Sequence, residues 1–120
     1  MKILVCDDDD VILRLAKIAF QNENAEVIWV KDGREAFPHL KENNDFDLII
    51  TDIHMPFHNG DEILRFVRED QGKNTPIIML SSDGQEEVIK LALKMGVNDF
   101  IVKPIDAEQL LKKIKKVMSK

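Results

Sequence analysis

The chain has 120 residues, of which 44% are hydrophobic and 32% charged, as in ordinary globular proteins. This length allows one hydrophobic core and is too short for a second. The net charge of -5 disfavours non-specific binding to nucleic acid or to an anionic membrane surface. We therefore expect a single domain over residues 1–120 whose partners are proteins or small molecules.

The cysteine content and the first residues indicate the compartment. Cys6 is the only cysteine, so no disulfide can form within the chain. The opening residues MKILVC are followed at once by aspartates, which leaves them too short for the apolar region of a signal peptide. No segment approaches the length of a transmembrane helix. We expect a cytoplasmic protein that makes no contact with a membrane.

Five short stretches rich in Ile and Val recur at regular intervals along the chain. They are KILVC (2–6), AEVIWV (25–30), DLIIT (47–51), PIIML (76–80) and DFIVK (99–103). Each is continuous rather than alternating in hydrophobicity, which indicates strands covered on both faces. Strands of this kind are typical of a parallel sheet.

The segments between these stretches have the apolar spacing of amphipathic helices. Strand and helix alternate five times, which predicts a three-layer α/β domain with right-handed crossovers. Gly33, Gly60 and Gly96 punctuate the pattern, and Gly96 stands where a helix C-cap is needed. Pro38 lies inside the second helical segment and predicts a helix that is kinked or late in starting.

Several polar side chains fall at the carboxyl ends of the predicted strands, where an open parallel sheet binds its ligands. They are Asp7 and Asp8 after the first strand, Asp52, Ser81 with Ser82, and Lys103. Three carboxylates against one ammonium group leave an excess of negative charge that a hard divalent cation would neutralise. Oxygen ligands favour Mg²⁺, with Mn²⁺ as a substitute.

Asp52 is the predicted nucleophile, because it stands alone on the central strand between the acidic pair and Lys103. A carboxylate beside Mg²⁺ can attack a phosphoryl group if the metal, an ammonium and a hydroxyl share the charge on the phosphoryl oxygens. Asp7 and Asp8 are adjacent and are suited to holding the ion. Asp9 and Asp10 are instead assigned to the cap and first turn of the helix that follows.

Four motifs occur in order across essentially the whole chain: ILVCDDD, DLIITDIHMPFHNG, PIIMLSS and DFIVKP. Together they resemble the receiver domain of two-component response regulators, in particular the stand-alone chemotaxis type. The resemblance implies a flavodoxin-like (βα)5 domain with a parallel five-stranded sheet in the order 2-1-3-4-5. It also implies a signalling phosphoacceptor rather than an enzyme, catalysing only its own phosphotransfer and a slow autodephosphorylation.

The same resemblance implies partners and a metal site. The phosphoryl group would come from a phosphohistidine of a sensor histidine kinase or a histidine phosphotransfer protein onto Asp52. Asp8 and Asp52 would bind Mg²⁺ directly, Asp7 through water, and His54 through its backbone carbonyl. A downstream protein partner, or a second copy of the chain in a homodimer, would bind the face formed by the fourth helix, fifth strand and fifth helix.

The resemblance further implies a set of residues that respond to phosphorylation. Ser81 would be the switch hydroxyl, Lys103 would contact the phosphoryl group, and Ser82 would contact it through its backbone. Phe100 would be the aromatic switch residue, and a cis peptide bond is expected before Pro104. Ser81 stands where Thr is frequent and Phe100 where Tyr is frequent, so a phenol contact to a partner is absent.

Two other functions fit parts of the sequence. Residues 7–11 also resemble the D-x-D-x-V motif of haloacid-dehalogenase-type phosphatases, with Asp7 as nucleophile and Asp9 as general acid. That interpretation leaves Asp52 without a role and offers only Asp106 where the second acidic pair would stand. A pseudo-receiver would keep the fold and bind partners without phosphorylation. The sequence also fits both a stand-alone regulator and a fragment of a larger one.

Other conspicuous residues are assigned structural roles. Trp29 is predicted to pack in the second strand, and His39 and His58 to lie on the surface. The KKIKK segment (112–116) looks like a basic patch. Because Ile114 continues the apolar spacing of its helix, the lysines are predicted to form the solvated face of that helix.

Overall fold

The computed structural model describes residues 1–21, 24–42, 45–55, 59–82 and 84–118. Its strands are β1 (Lys2–Cys6), β2 (Glu26–Val30), β3 (Leu48–Asp52), β4 (Ile77–Ser81) and β5 (Asp99–Val102). Its helices are α1 (Asp10–Phe20), α2 (Gly33–Glu42), α3 (Gly60–Arg65), α4 (Glu86–Met95) and α5 (Ala107–Met118). A π-helical segment, Phe66–Asp70, follows α3 directly. None of the helices within these residues is long and apolar enough to cross a membrane.

The five strands form one parallel sheet in the order β2-β1-β3-β4-β5, which confirms the predicted order. The chain leaves β1 for β2 on one side and later returns to place β3 on the other. The order therefore reverses between β1 and β3, where Cys6 lies opposite Thr51. In open α/β sheets this is the point at which ligands bind, beyond the carboxyl ends of the strands.

The sheet is covered on both faces because successive side chains of a strand point in opposite directions. Ile3 and Val5 of β1 pack with α1 and α5, whereas Leu4 and Cys6 pack in the core that includes α2, α3 and α4. Strands β3 and β4 are buried along their full length. The carboxyl ends of these strands are consequently held in a rigid frame.

Strand β2 departs from the prediction that every strand is covered on both faces. It lies at the edge of the sheet, and only its last residue, Val30, is buried. Trp29 remains 37% exposed, and Nζ of Lys17 lies 4.3 Å from the centroid of its ring. A continuous apolar run therefore failed to distinguish this edge strand from a central one.

Pro38 does not delay the start of the second helix, so this part of the expectation was wrong, whereas the expected kink stays a prediction. Helix α2 begins at Gly33 and continues through Pro38 to Glu42. Oδ1 of Asp32 accepts hydrogen bonds from the backbone N–H groups of Arg34 at 2.8 Å and Glu35 at 3.1 Å, which fixes the start of the helix. The helix that changes character is the third, which widens into π-helical turns after Arg65.

The remaining structural assignments have mixed outcomes. Ile114 is buried and three of the four lysines around it are exposed, which confirms the predicted amphipathic helix. Lys113 is instead half-buried, and its Nζ lies 3.1 Å from Oδ1 of Asp99. His39 is half-buried rather than fully on the surface. His58 lies outside the described residues. Gly96 is the C-cap of α4 in a left-handed conformation, as its position in the sequence predicted.

The run of four aspartates divides between the sheet and α1. Asp9 is the N-cap of the helix, and its Oδ1 accepts a hydrogen bond from the backbone N–H of Val11 at 2.9 Å. Asp10 lies in the first turn, where its exposed carboxylate pairs with Nζ of Lys31 at 3.1 Å. The predicted capping role of this half of the run is confirmed.

Replacing Asp9 with Ala should lower the free energy of unfolding by about 1 kcal/mol, because the N-cap hydrogen bond is lost. Replacing Asp10 with Ala should cost at most about half as much, since an exposed ion pair and a charge near the helix N-terminus each contribute little. Urea denaturation of the two variants measures the difference. Equal losses would contradict the assignment of Asp9 as the cap.

Candidate functional site

The buried polar side chains among the described residues gather at one edge of the sheet. They are Asp7, Thr51, Asp52 and Ser81, and all of them lie at or just beyond the carboxyl ends of β1, β3 and β4. Lys103 follows β5 directly and reaches the same edge. Burial of polar groups is costly unless they are paired, so this clustering marks the candidate site.

Lys103 joins the two buried aspartates. Its Nζ lies 2.9 Å from Oδ2 of Asp7 and 2.9 Å from Oδ2 of Asp52. Its backbone N–H donates to the carbonyl oxygen of Ser81 at 2.7 Å, which fixes the position of the Lys103 backbone. The peptide bond between Lys103 and Pro104 is cis, as the sequence predicted. One ammonium group thus holds carboxylates from two different strands.

The electrostatic environment of Asp7 is dominated by burial, since its side chain is fully enclosed. Burial raises the pKa of Asp7 from 3.8 to about 6. A hydrogen bond from the backbone N–H of Asp9 at 2.9 Å and the contact with Lys103 offset part of this shift, while the charge of Asp52 adds to it. The carboxyl group of Asp7 therefore lies in an environment with too little positive charge.

The pKa of Lys103 is raised as well, although burial acts on it in the opposite direction. Burial by itself would lower the pKa of Lys103, but the hydrogen bonds to Asp52 and Asp7 outweigh burial and raise it. The side chain therefore remains an ammonium group at neutral pH. With Asp7 ionised, the two aspartates and this single cation still leave a net negative charge.

Asp8 adds a third carboxylate to this excess of negative charge. Asp8 is exposed, and one carboxylate oxygen from each of Asp7, Asp8 and Asp52 lies within 4.8 Å of the others. All three donors are oxygens, which Mg²⁺ prefers, and the excess negative charge favours a divalent cation over none. The residues present therefore fit the predicted metal ion.

Two residues that sequence reasoning passed over hold Asp52 in place. Oγ1 of Thr51 donates to the backbone carbonyl of Asp52 at 3.1 Å. Gly60 begins α3 against the same carbonyl, and a Cβ atom there would lie 2.5 Å from the oxygen of Asp52. The backbone N–H of Gly60 donates to the carbonyl of Ile53 at 2.8 Å. This close approach requires glycine at position 60. In the sequence, Gly60 indicates only a turn, so this second role could not be predicted.

The other predicted site residues differ in how near they lie to this cluster. The side chain of His54 is exposed, and its backbone N–H donates to Oδ1 of Asp52 at 3.3 Å. Ser81 is buried beside the cluster, whereas Ser82 is exposed. Phe100 is buried in the core and lies opposite Met79 in the sheet. The structure thus places His54, Ser81 and Ser82 at this edge of the sheet and Phe100 in the core, and their roles in phosphorylation stay predictions.

Comparison with known proteins gives a consistent family match. The family model described as the response regulator receiver domain matches residues 3–115. Chemotaxis protein CheY1 of Helicobacter pylori is 38% identical over 120 residues, which cover 98% of this chain and 97% of that protein. The CAI-1 autoinducer sensor kinase/phosphatase CqsS of Vibrio cholerae is 38% identical over 115 residues, which cover 94% of this chain and 17% of that protein.

Solved structures agree with the sequence matches. The chemotaxis response regulator CheY4 of Vibrio cholerae superposes with a TM-score of 0.85 at 35% identity, covering 97% of each chain. A receiver domain protein from Clostridium thermocellum superposes with a TM-score of 0.84 at 30% identity, covering 98% of this chain and 93% of that one. The chain is thus similar both to whole proteins of its own length and to one segment of a longer one.

The raised pKa of Asp7 predicts an unusual pH dependence of stability in the absence of divalent cations. Between pH 3.8 and about 6 the folded protein binds a proton at Asp7 that the unfolded chain releases, so stability should rise as the pH falls from 7 towards 4. A shift from 3.8 to about 6 corresponds to about 3 kcal/mol. Chemical denaturation in EDTA across this pH range measures the effect.

The Asp7→Asn variant should lack this rise, and at pH 7 it should be at least as stable as the wild-type protein. Asp8→Asn is the matched control, because its side chain is exposed. A pH dependence that is identical in wild type and Asp7→Asn would show that Asp7 is not the group that takes up the proton.

Proposed function

This chain belongs to the response regulator receiver domain family and is a phosphoacceptor of two-component signalling, and we propose that Asp52 is the residue that accepts the phosphoryl group. The observation that carries this proposal is the ammonium group of Lys103, which lies 2.9 Å from the carboxylates of Asp7 and Asp52. A cation in that position can stabilise a phosphoryl group attached to one of the two aspartates.

Burial favours Asp52 over Asp7 as the nucleophile. Asp7 is fully buried, so an incoming phosphoryl group has no access to its carboxylate. Asp52 keeps 6% of its surface exposed at the end of the central strand. The rival phosphatase mechanism also needs Asp9 as an acid, but the carboxylate of Asp9 caps α1. Family membership favours neither that mechanism nor a pseudo-receiver.

In the proposed reaction a carboxylate oxygen of Asp52 attacks the phosphorus atom of a phosphohistidine. The new O–P bond forms as the P–N bond breaks, and the bonding electron pair returns to the imidazole of the donor. Lys103 neutralises charge on the phosphoryl oxygens throughout. Water later hydrolyses the aspartyl phosphate, which accounts for a slow autodephosphorylation.

We place Mg²⁺ among the side chains of Asp7, Asp8 and Asp52 and the backbone carbonyl of His54. When bound there, the ion supplies positive charge that the site lacks and lowers the repulsion between an incoming phosphoryl group and the aspartates. The three carboxylate oxygens within 4.8 Å of one another support this placement. Mn²⁺ has the same preference for oxygen donors and is proposed as a substitute.

The donor is proposed to be a sensor histidine kinase or a histidine phosphotransfer protein. A cleft of about 230 Å³ beside Lys103 is lined mainly by apolar groups, including Val11, Leu15 and Ile105. Val11 is 57% exposed although it is apolar. An apolar surface next to the reactive groups suits a protein donor that must bring its phosphohistidine to Asp52.

The response to phosphorylation is proposed to pass through Ser81, Ser82 and Phe100. The buried hydroxyl of Ser81 would turn towards the phosphoryl group, the backbone of Ser82 would contact it, and Phe100 would move into the space that Ser81 leaves. Phe100 also lines an open groove of about 650 Å³ between β5 and α5. A movement of this ring would therefore change the shape of an exposed surface.

We propose that a downstream protein, or a second copy of the chain, binds the α4-β5-α5 face. Leu91 of α4 is 57% exposed and Val102 of β5 is 39% exposed, which leaves apolar area for a partner to cover. Phosphorylation would shift the equilibrium between conformations of this face. The domain, proposed to span residues 1–120, acts in the cytoplasm through protein contacts and without binding nucleic acid directly.

Phosphorylation can be tested by mass spectrometry after incubation with Mg²⁺ and a small donor, acetyl phosphate or phosphoramidate. The wild-type protein should gain about 80 Da, the mass of one phosphoryl group. The Asp52→Asn and Asp52→Ala variants should gain none, because the nucleophile is removed, and EDTA should abolish the gain in the wild type. Asp7→Asn should still be modified, since Asp52 remains.

Asp10→Asn is the matched control, because Asp10 is an exposed carboxylate of the same acidic run. It should be modified as fully as the wild type. Peptide mapping should place the adduct on residue 52. An adduct that maps to Asp7, or one that persists in Asp52→Asn, would contradict the proposal and revive the phosphatase-like mechanism.

Magnesium binding is tested separately by isothermal titration calorimetry. Removing one anionic ligand of a hard cation should weaken binding, so Asp8→Asn should raise the dissociation constant for Mg²⁺ by at least about tenfold. Asp9→Asn should change it little, because the carboxylate of Asp9 is used in the cap of α1. Equal affinities of Asp8→Asn and wild type would remove Asp8 from the metal site.

A further inference from the structure

A single arginine ties together three segments at the edge of the sheet opposite the phosphorylation site. Nη1 of Arg68 donates to the carbonyl oxygens of Lys73 at 3.0 Å and Thr75 at 2.8 Å. Nη2 donates to the carbonyl of Gly96 at 3.0 Å and to Oδ1 of Asn98 at 3.0 Å. Nε donates to the carbonyl of Gly96 at 3.3 Å. All three nitrogens of the guanidinium group are thus engaged.

These contacts meet at the C-terminal end of α4. Gly96 ends that helix with φ at +111°, and its backbone N–H donates to the carbonyl of Leu93 at 3.2 Å. A Cβ atom at Gly96 would lie 3.4 Å from Nε of Arg68, so glycine serves both the left-handed turn and the approach of the arginine. Oδ1 of Asn98 also accepts from the backbone N–H of Ile77 at 2.9 Å, which connects the end of α4 to β4.

The π-helical segment presents Arg68 to these acceptors. Such segments are rare and occur often at functional sites. Here Phe66–Asp70 follows α3, and the backbone N–H of Gln71 closes its last turn on the carbonyl of Phe66 at 2.9 Å. The hydrogen bonds of Arg68 are charge-assisted, which makes each of them stronger than a bond between neutral groups.

The rest of α4 is held only by apolar packing among the contacts described. Of its ten residues only Ala92 is buried, whereas Leu91 is 57% and Leu93 is 48% exposed. Two apolar side chains of its amino-terminal half pack against the core and are partly buried. The opposite end of the helix follows Ser81 and the site after residues 82–85. One end of α4 is therefore anchored to the frame of the sheet, and the other is connected to the residues expected to respond to phosphorylation.

We propose that Arg68 is a positioning residue that fixes the C-terminal end of α4, so that phosphorylation tilts the helix about Gly96 instead of displacing it as a whole. The direction of the tilt rests on the proposed function of Asp52, whereas the anchor itself does not. The partner would then bind a face containing Leu91 whose orientation has been changed by the rotation of α4. Loss of the arginine would free both ends of the helix.

Hydrogen exchange measured by mass spectrometry tests the anchor on the full chain. Arg68→Met keeps the aliphatic stem and removes every donor, and Arg68→Lys keeps the charge but not the planar arrangement of donors. Arg65→Met is the matched control, since Arg65 is exposed in the preceding turn. Each protein is compared in EDTA and after incubation with Mg²⁺ and acetyl phosphate, and the adduct of about 80 Da is measured in the same samples.

In EDTA the backbone amides of Gly96 and Val97 should exchange about tenfold faster in Arg68→Met than in wild type or Arg65→Met, with Arg68→Lys between them. After phosphorylation the wild-type protein should change exchange at residues 86–91 and not at 95–97. In Arg68→Met the change should extend to residues 95–97. This spreading is a response that a loss of overall stability would not produce, because it is measured as the difference between the two phosphorylation states.

If Gly96 and Val97 exchange at the same rate in Arg68→Met as in the wild type, Arg68 does not anchor the helix. A phosphorylation response in the wild type that is equal at both ends of α4 would also contradict the proposal. If the wild type gains no adduct, the proposed function fails while the comparison in EDTA still decides whether Arg68 anchors the helix. If Arg68→Met does not fold, Arg68→Lys carries the same comparison with the same outcomes.

Discussion

The geometry of the site depends on Lys103, whose ammonium group is shared by two aspartates buried at the ends of neighbouring strands. Removing a carboxylate from water costs several kcal/mol unless other charges compensate for it. One ammonium compensates for only part of two carboxylates, and the raised pKa of Asp7 is the visible consequence. The same deficit of positive charge that makes the site costly to fold makes it receptive to a divalent cation.

This arrangement places a strict demand on the backbone. The carboxylate of Asp52 can meet Lys103 only if β3 ends where β1 and β5 bring their own polar residues, and the parallel register provides that alignment. Gly60 lets α3 begin directly against the carbonyl of Asp52, where any side chain would collide with it. The position of Asp52, the proposed nucleophile, is therefore fixed by main-chain packing, and the surrounding side chains add charge to a position already determined.

Local patterns predicted what local interactions decide. The five strands lie within one residue of the apolar runs, and Asp9 caps α1 as its place in the sequence indicated. The exposure of β2 could not be read from its apolar run, because the number of neighbouring strands is a property of the whole sheet. Pro38 was expected to kink α2 or delay its start, yet the helix starts at Gly33, where the carboxylate of Asp32 accepts hydrogen bonds from the first turn.

Site residues divide in the same way. Asp7, Asp52 and Lys103 were found because strand ends bring them to one edge, a consequence of the topology that sequence alone indicates. Arg68 was missed because its acceptors follow five to thirty residues later in irregular segments, and no motif marks them. The π-helical turns that contain Arg68 were missed because their apolar spacing resembles that of an α-helix.

Strand β4 connects the two sides of the molecule and limits how a signal can cross it. Its five residues are all buried, and its carboxyl end carries Ser81 at the site. At its amino end, the backbone N–H of Ile77 donates to Oδ1 of Asn98, which also accepts a hydrogen bond from Arg68. Strand β4 is packed on both faces and hydrogen-bonded to β3 and β5, so it cannot slide without breaking these contacts. In the proposed mechanism, a change of charge at Asp52 would therefore act through the segment after Ser81 and through the side chain of Phe100. Both of these lead to α4 and β5 rather than through the core.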